Sequence, residues 1–214
     1  MTTVRQRTHA CVISGPAGNL QAMVSAPQYP ANYTCIISHP HPLHQGTMHN
    51  KVVTTTAKAC DALNMHTIRF NFRGVGDSAG HFDNGVGECD DLRAVYHWAQ
   101  SNLPEQPIIF AGFSFGSYVS ARTASSEAPT ALITIAPAVS NQDYAQHPEY
   151  SGPWQVILAD QDTITPIEAA QTWLAKQPHQ PHVHIIEGAC HFFHGKLDIL
   201  EQTIQQFLKK ACHL

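Results

Sequence analysis

Charge is scarce in this chain: 13% of its 214 residues are Asp, Glu, Lys or Arg, against 43% hydrophobic. A sequence so poor in charge keeps much of itself inside a core. At this length it is expected to form one well-buried domain, since two would be short of residues. The formal charge of −4 comes without basic clusters, which argues against nucleic acid or an anionic membrane as the main partner. No stretch reaches the 18 or so apolar residues of a membrane span, and residues 1–9 lack the apolar core of a signal peptide. A cytoplasmic protein is the expectation. Cysteines at 11, 35, 60, 89, 190 and 212 form no C-x-x-C pair, so they read as small core residues in a reducing compartment. Internal repeats, linkers and low-complexity tracts are also missing.

What is present is a regular alternation of strand and helix patterns. Residues 10–14 and 20–25, separated by Gly15-Pro16-Ala17-Gly18-Asn19, read as an antiparallel hairpin. Residues 33–38 form a stronger strand that runs into His39-Pro40-His41-Pro42, where the prolines forbid both helix and ladder. Residues 49–63 carry apolar side chains at helical spacing, and 65–72 read as a strand. Helix 88–102, strand 107–111, a helix from 115, strand 130–136, strand 154–159, helix 166–176, strand 182–186 and helix 196–211 complete the order. Such alternation predicts an α/β fold with a mostly parallel sheet of seven to eight strands and helices on both faces. Gly74-x-Gly76-x-x-Ala79 follows a strand in the manner of a dinucleotide fingerprint. That motif needs a helix beginning within the glycines, whereas here loop residues continue to Gly87, so dinucleotide binding is rejected.

The sharpest local signal is Gly112-Phe113-Ser114-Phe115-Gly116, directly after an apolar run of four residues from Ile108 to Ala111. The run suits a strand covered on both faces, and the residues after Ser114 suit a helix. Ser114 then falls on the turn between them. A serine on so tight a strand-to-helix turn has an outward hydroxyl and tolerates only small neighbours two positions away. The amide of Phe115, at the helix start, is placed to favour a developing negative charge. By composition alone Gly-x-Ser-x-Gly arises by accident in a chain of this size roughly once in fifteen, so the motif needs partners.

Partners occur in the required order. A serine hydroxyl needs a base to take its proton, and the base needs an acid group to hold its tautomer. The strand at 154–159 delivers Asp160-Gln161-Asp162 at its C-terminal end, and the next strand leads to His191 just before the last helix. In parallel sheets, reactive groups gather at that edge. Each has a bland reading too: a turn aspartate before Pro166, and a loop histidine beside an aromatic pair.

Gly-Phe-Ser-Phe-Gly at 112–116, Asn-Phe-Arg-Gly-Val-Gly-Asp-Ser at 71–78, Asp-Gln-Asp-Thr at 160–163 and Ala-Cys-His-Phe-Phe-His-Gly at 189–195 together resemble the α/β-hydrolase superfamily. His39-Pro40-His41-Pro42 resembles a compact, lidless bacterial subgroup distantly similar to dienelactone hydrolases. The resemblance implies Ser114 as nucleophile, His191 as base and Asp162 as acid, with Asp160 the other carboxylate to weigh. It also implies an oxyanion hole built from backbone amides. Pro40 and Pro42 have none to give, which leaves Phe115 with His41, or with Leu43 in its stead. Phe113 and Phe192 flank the two reactive positions and are the expected substrate contacts. No lid fits between strands 130–136 and 154–159, because the 17 residues from 137 to 153 are largely polar and hold three prolines. Arg73, Glu88 and Asp91 read as ion-pairing or capping residues.

Fifteen histidines against twelve Lys plus Arg raise a metal-dependent rival built on His39, His41 and His44, with His49 nearby. No Asp or Glu lies between residues 28 and 60 to join them. A small-molecule-binding protein without catalysis is the other rival, because fold does not dictate function. The expectation is a serine hydrolase of the carboxylesterase kind, with no cofactor and no metal, acting on a small-molecule ester, thioester or lactone. Neither nucleic acid nor membrane is an expected partner.

Overall fold

Hydrophobic strands and amphipathic helices alternate along the chain, and the computed structural model, which describes residues 7–140, 150–177 and 179–214, assembles them around one eight-stranded sheet. In chain order the elements are β1 (Arg7–Gly15), β2 (Gly18–Ala26), β3 (Thr34–Ser38), α1 (Lys51–Asp61), β4 (His66–Phe70), α2 (Val86–Asn102) and β5 (Ile108–Phe113). Then follow α3 (Phe115–Glu127), β6 (Ala131–Ile135), β7 (Trp154–Ala159), α4 (Ile167–Leu174), β8 (His182–Ile186) and α5 (Leu197–Ala211). The strand order is β1-β2-β4-β3-β5-β6-β7-β8. Pairing is antiparallel between β1 and β2 and between β2 and β4, and parallel from β4 onward to β8.

Both faces of the central strands are covered, which is why they read as unbroken apolar runs. Ile37, Ile109, Ala111 and Ile133 meet α1 and α5 on one face. Their neighbours Ile36, Phe110 and Leu132 meet α2 and α3 on the other. Helix α5 shows the cause locally: its buried residues Leu200, Thr203, Ile204, Phe207 and Leu208 repeat at three and four positions, one stripe on a 3.6-residue helix. Asp198 in its first turn and Lys209 and Lys210 in its last complement the helix dipole. At the far edge β8 is exposed from His182 to Ile185. Cys35, Cys60, Cys89 and Cys212 are buried as expected, but Cys11 and Cys190 are only half-buried; all six are free thiols.

Register aligns the C-terminal ends of the parallel strands. Ser38 pairs with Gly112, Phe113 with Ile135, and Ala159 with Ile186. The segments that follow β3, β5, β7 and β8 therefore emerge at one edge. No helix begins within the glycines at 74–80; α2 starts at Val86, two residues before the predicted boundary. Its N-terminus is closed by the Glu88 carboxylate, which accepts the amides of Asp83 and Gly85. Arg73 clamps the preceding loop through Asp91, at 2.8 Å, the carboxylate being fully buried. Among the described residues there is no lid helix, and no helix long and apolar enough to cross a membrane. Of the loop expected at 137–153, residues 141–149 lie outside the described residues.

Candidate active site

Ser114 occupies the one-residue turn between β5 and α3 with φ 54° and ψ −115°. L residues adopt that region only under constraint, and the constraint is visible. The Ser114 amide donates to Ile135 O at 2.8 Å. Ser117 Oγ lies 2.7 Å from Gly112 O and 2.9 Å from Ile135 O, and accepts the Ile135 amide at 3.0 Å. One buried hydroxyl thus ties α3 to β5 and β6. The flanking glycines are required by close approach: a Cβ on Gly112 would stand 2.1 Å from Gly116 O, and one on Gly116 would stand 2.3 Å from Ser38 O. The first turn of α3 is thereby pressed against the segment leaving β3.

His191 follows β8 in a loop anchored by Phe193, whose ring is fully buried in the core and whose amide donates to Cys190 O. Its Nδ1 is 2.7 Å from Asp162 Oδ2 and its Nε2 is 3.1 Å from Ser114 Oγ. An ionised carboxylate can only accept, so Nδ1 carries the proton and Nε2 is left to accept from the serine hydroxyl. All three side chains are buried, with exposures of 8% for Ser114, 7% for Asp162 and 5% for His191.

The two oxygens of Asp162 divide their work. Oδ1 accepts the amides of Ile164 and Thr165, each at 2.8 Å, which is the turn-capping role read from the sequence. Oδ2 faces His191 and also accepts from Thr165 Oγ1 at 2.7 Å. Burial works against ionisation of Asp162, but the hydrogen bonds from His191 and Thr165 and the neighbouring imidazole outweigh it and lower its pKa. Asp160 turns elsewhere: its Oδ1 accepts the Ala189 amide at 3.2 Å and its Oδ2 faces Gln161. Thr165 is a site residue that the sequence-based expectations lack; the signal for it is Asp-x-x-Thr, the spacing at which a turn aspartate meets the backbone and hydroxyl of a residue three positions on.

Among the described residues, the N–H groups of Phe115 and His41 have no hydrogen-bond acceptor. The Leu43 amide, the alternative donor, is already given to His41 Nδ1 at 3.2 Å. The loop carrying His41 is closed on itself, its carbonyl accepting from His44 and Gly46 amides. His39 then sets the peptide before it. Its Nδ1 lies 2.6 Å from Pro40 O and its Nε2 accepts the Phe72 amide at 3.0 Å. Holding Pro40 C=O toward the ring turns the N–H of the same trans peptide, that of His41, the opposite way.

With both ring nitrogens engaged, His39 has no lone pair for a metal, and the proposed histidine set loses its first member. Among the described residues no group of three or more His, Cys, Asp or Glu could hold a metal ion. Full burial, outweighing the Pro40 contact, lowers the pKa of His39 to about 4. A histidine neutral in the folded state and near 6.5 when unfolded stabilises the fold above pH 6.5. That contribution is lost as pH falls toward 4, because only the unfolded chain takes up the proton. The loss amounts to an order of 3 kcal/mol. Urea unfolding of the wild type from pH 7 to 4 should show it, and His39→Gln should flatten the slope; an unchanged slope in the variant would sink the assignment.

The edge of the sheet holds a cavity of about 480 Å³ reached by Ser114, Phe115, His41, His191 and Phe192. Phe192 lies at its wall, 39% exposed. Phe113, expected to touch substrate, is not a wall residue: it is 1% exposed in the core, its ring 5.0 Å behind His191 and 5.9 Å from Phe192. A residue preceding the turn points to the face opposite its neighbours in the strand, so Phe113 backs the imidazole from within.

Comparison with known proteins agrees with this architecture. A family model described as serine aminopeptidase, S33, matches residues 41–151. An uncharacterized protein, RP471, of Rickettsia prowazekii (strain Madrid E) is 31% identical over 205 residues, 91% of this chain and 86% of its own length. An α/β serine hydrolase without lid from Xanthomonas campestris has a TM-score of 0.91 at 39% identity, covering 98% of this chain and 96% of that one. An α/β serine hydrolase homologue from Coxiella burnetii also gives 0.91, at 42% identity over 97% and 100% of the two chains.

Proposed function

The chain belongs to the serine aminopeptidase S33 family, a family of α/β serine hydrolases, and from that premise we propose that it cleaves small carboxylic esters, thioesters or lactones through an acyl-enzyme on Ser114. His191 takes the hydroxyl proton through Nε2 as Ser114 Oγ bonds to the carbonyl carbon. Asp162 holds the tautomer and stabilises the imidazolium, and the Phe115 and His41 amides hold the oxyanion. The imidazolium then protonates the departing alkoxide, and water repeats the sequence to release the acid. The observation that carries the reading is the chain of hydrogen bonds from Ser114 through His191 to Asp162, at 3.1 and 2.7 Å, with Ser114 and His191 lining the cavity.

An ester fits better than a peptide amino terminus. An aminopeptidase pairs the substrate's α-ammonium with a carboxylate, since burying an unpaired charge is costly, and the described lining of this cavity includes no Asp or Glu. A fluorophosphonate probe followed by peptide mapping tests the proposal: Ser114 alone should be labelled, with turnover of 4-nitrophenyl acetate unaffected by EDTA. Labelling elsewhere, or activity lost to EDTA and restored by zinc, would reverse it. Ligand binding with no turnover of any activated ester would favour the non-catalytic rival.

Chain length is a second check. Without a lid to wall in an acyl chain, an added methylene cannot gain the roughly 0.8 kcal/mol of full burial. The ratio kcat/KM should peak between acetyl and butyryl esters, stay flat or fall beyond, and show no activation at lipid interfaces. A steady rise through octanoyl would contradict it.

A further inference from the structure

The cavity has two ends of different chemistry, and the sheet order decides which end faces which part of a substrate. Strand order places the β3 segment on one side of Ser114 and the segments after β6, β7 and β8 on the other. From the β3 side the cavity takes His41, His44, Gln45 and Asn50; from the other side it takes Ala138, Ile164 and Phe192 beside His191. In the described lining one end is polar and the other apolar, with the serine between.

The polar groups are available. Asn50 Oδ1 caps α1 by accepting the Val52 amide at 2.8 Å, which leaves its NH₂ unpaired among the described residues. His41 Nδ1 accepts the Leu43 amide, so its proton is on Nε2 and that nitrogen donates. The His44 ring stands edge-on to His41 at 4.7 Å, and neither it nor the Gln45 amide has a hydrogen-bond partner among the described residues. This end includes no Lys, Arg, Asp or Glu in its described lining, so it offers hydrogen bonds without a fixed charge.

Resting on the acyl-enzyme reading above, we propose that the substrate pairs a short, uncharged acyl group carrying a hydroxyl or carbonyl with an apolar or aromatic leaving alcohol. When the carbonyl carbon is bonded to Ser114 Oγ, the leaving oxygen must be the atom that His191 protonates as its bond to carbon breaks. The alcohol therefore lies at the His191 end, against Phe192 and Ile164. The oxyanion turns to the His41 and Phe115 amides, and the acyl remainder, the one group left, runs past them along the β3 side, where His44, Gln45 and Asn50 can bond to it. A plain alkyl acyl chain would strip water from those groups and give nothing back, whereas a hydroxyacyl chain replaces the lost water bonds. A carboxylate or ammonium would find no opposite charge among the described residues there.

The test compares kcat/KM, corrected for each ester's reactivity with hydroxide, for benzyl butyrate, benzyl 3-hydroxybutyrate and benzyl hydrogen succinate, with glyceryl butyrate as the polar-alcohol control. The hydroxybutyrate should exceed the butyrate by about three- to tenfold, the range of a net hydrogen bond or slightly more, and should exceed the succinate. Benzyl butyrate should exceed glyceryl butyrate. Asn50→Ser keeps a capping hydroxyl but removes the amide donor, and with His44→Leu it should bring the hydroxybutyrate preference toward one. Phe192→Ala should instead reduce the benzyl preference and leave the acyl ratio alone. Butyrate or succinate preferred by the wild type, an acyl ratio untouched by both polar-end variants, or a preference for the glyceryl ester would each overturn the assignment of the two ends while leaving the hydrolase reading intact. No turnover of any ester, with Ser114 unlabelled, would sink that reading and this inference together.

Discussion

Ser114→Ala should lower kcat with 4-nitrophenyl acetate by at least about 10⁴-fold, because removing the nucleophile of a triad leaves only the contribution of binding and the oxyanion donors. The fold should survive, since among the described residues Ser114 Oγ meets only His191 and its backbone is held by Ile135 and Ser117. Stability gives an independent reading of the same residue. At φ 54° and ψ −115° any residue with a Cβ is strained, by roughly 1 to 3 kcal/mol, and alanine inherits that strain from serine. Glycine does not, so Ser114→Gly should be as inactive as the alanine variant yet more stable than it by about 1 kcal/mol in urea unfolding. Residual turnover within tenfold of wild type in either variant would remove Ser114 from the chemistry. Equal stability of the two variants would mean that the turn is not strained in solution.

Asp162→Asn should cost about 10⁴-fold in kcat, the magnitude seen when a serine protease triad loses its carboxylate and the histidine is left in the wrong tautomer. The amide that replaces Oδ2 would offer a donor to His191 Nδ1, 2.7 Å away, and favour a proton on Nε2, where it blocks acceptance from Ser114. Asp160→Asn should cost tenfold or less, because Asp160 meets the Ala189 amide and Gln161, not the imidazole. The contrast, measured on the same substrate, is the informative quantity. A large loss at Asp160 with a small one at Asp162 would move the acid by two residues, and comparable losses would show that the turn as a whole had collapsed. The lowered pKa of Asp162 adds a pH signature. A carboxylate with a folded pKa below its unfolded value stabilises the fold above the unfolded pKa, and that stability is lost as pH falls through the folded one. Asp162→Asn should therefore lose some of the wild type's acid sensitivity below about pH 4.

By itself the sequence determined the class of fold, the succession of strands and helices to within a few residues, and the turn on which Ser114 sits. These are local matters. A run such as Ile108 to Ala111 suits only a covered strand, and the approach of Gly112 to Gly116 and of Gly116 to Ser38 needs small residues that can be read directly. Position along the chain also brought Asp160, Asp162 and His191 to one edge, because parallel strands all end there. Only the tertiary structure shows which of the two carboxylates meets the imidazole, since residues two apart after a strand are alike in sequence and differ only in the direction that the turn gives them. It likewise put Phe113 behind the imidazole instead of at the cavity wall, and made His39 a buried strap between Pro40 and Phe72, although its neighbours suggest a metal ligand. Directions of side chains in a turn, and the two polarities of a cavity whose walls come from β3, β6, β7 and β8, depend on strands far apart in the chain, and no local pattern carries that information.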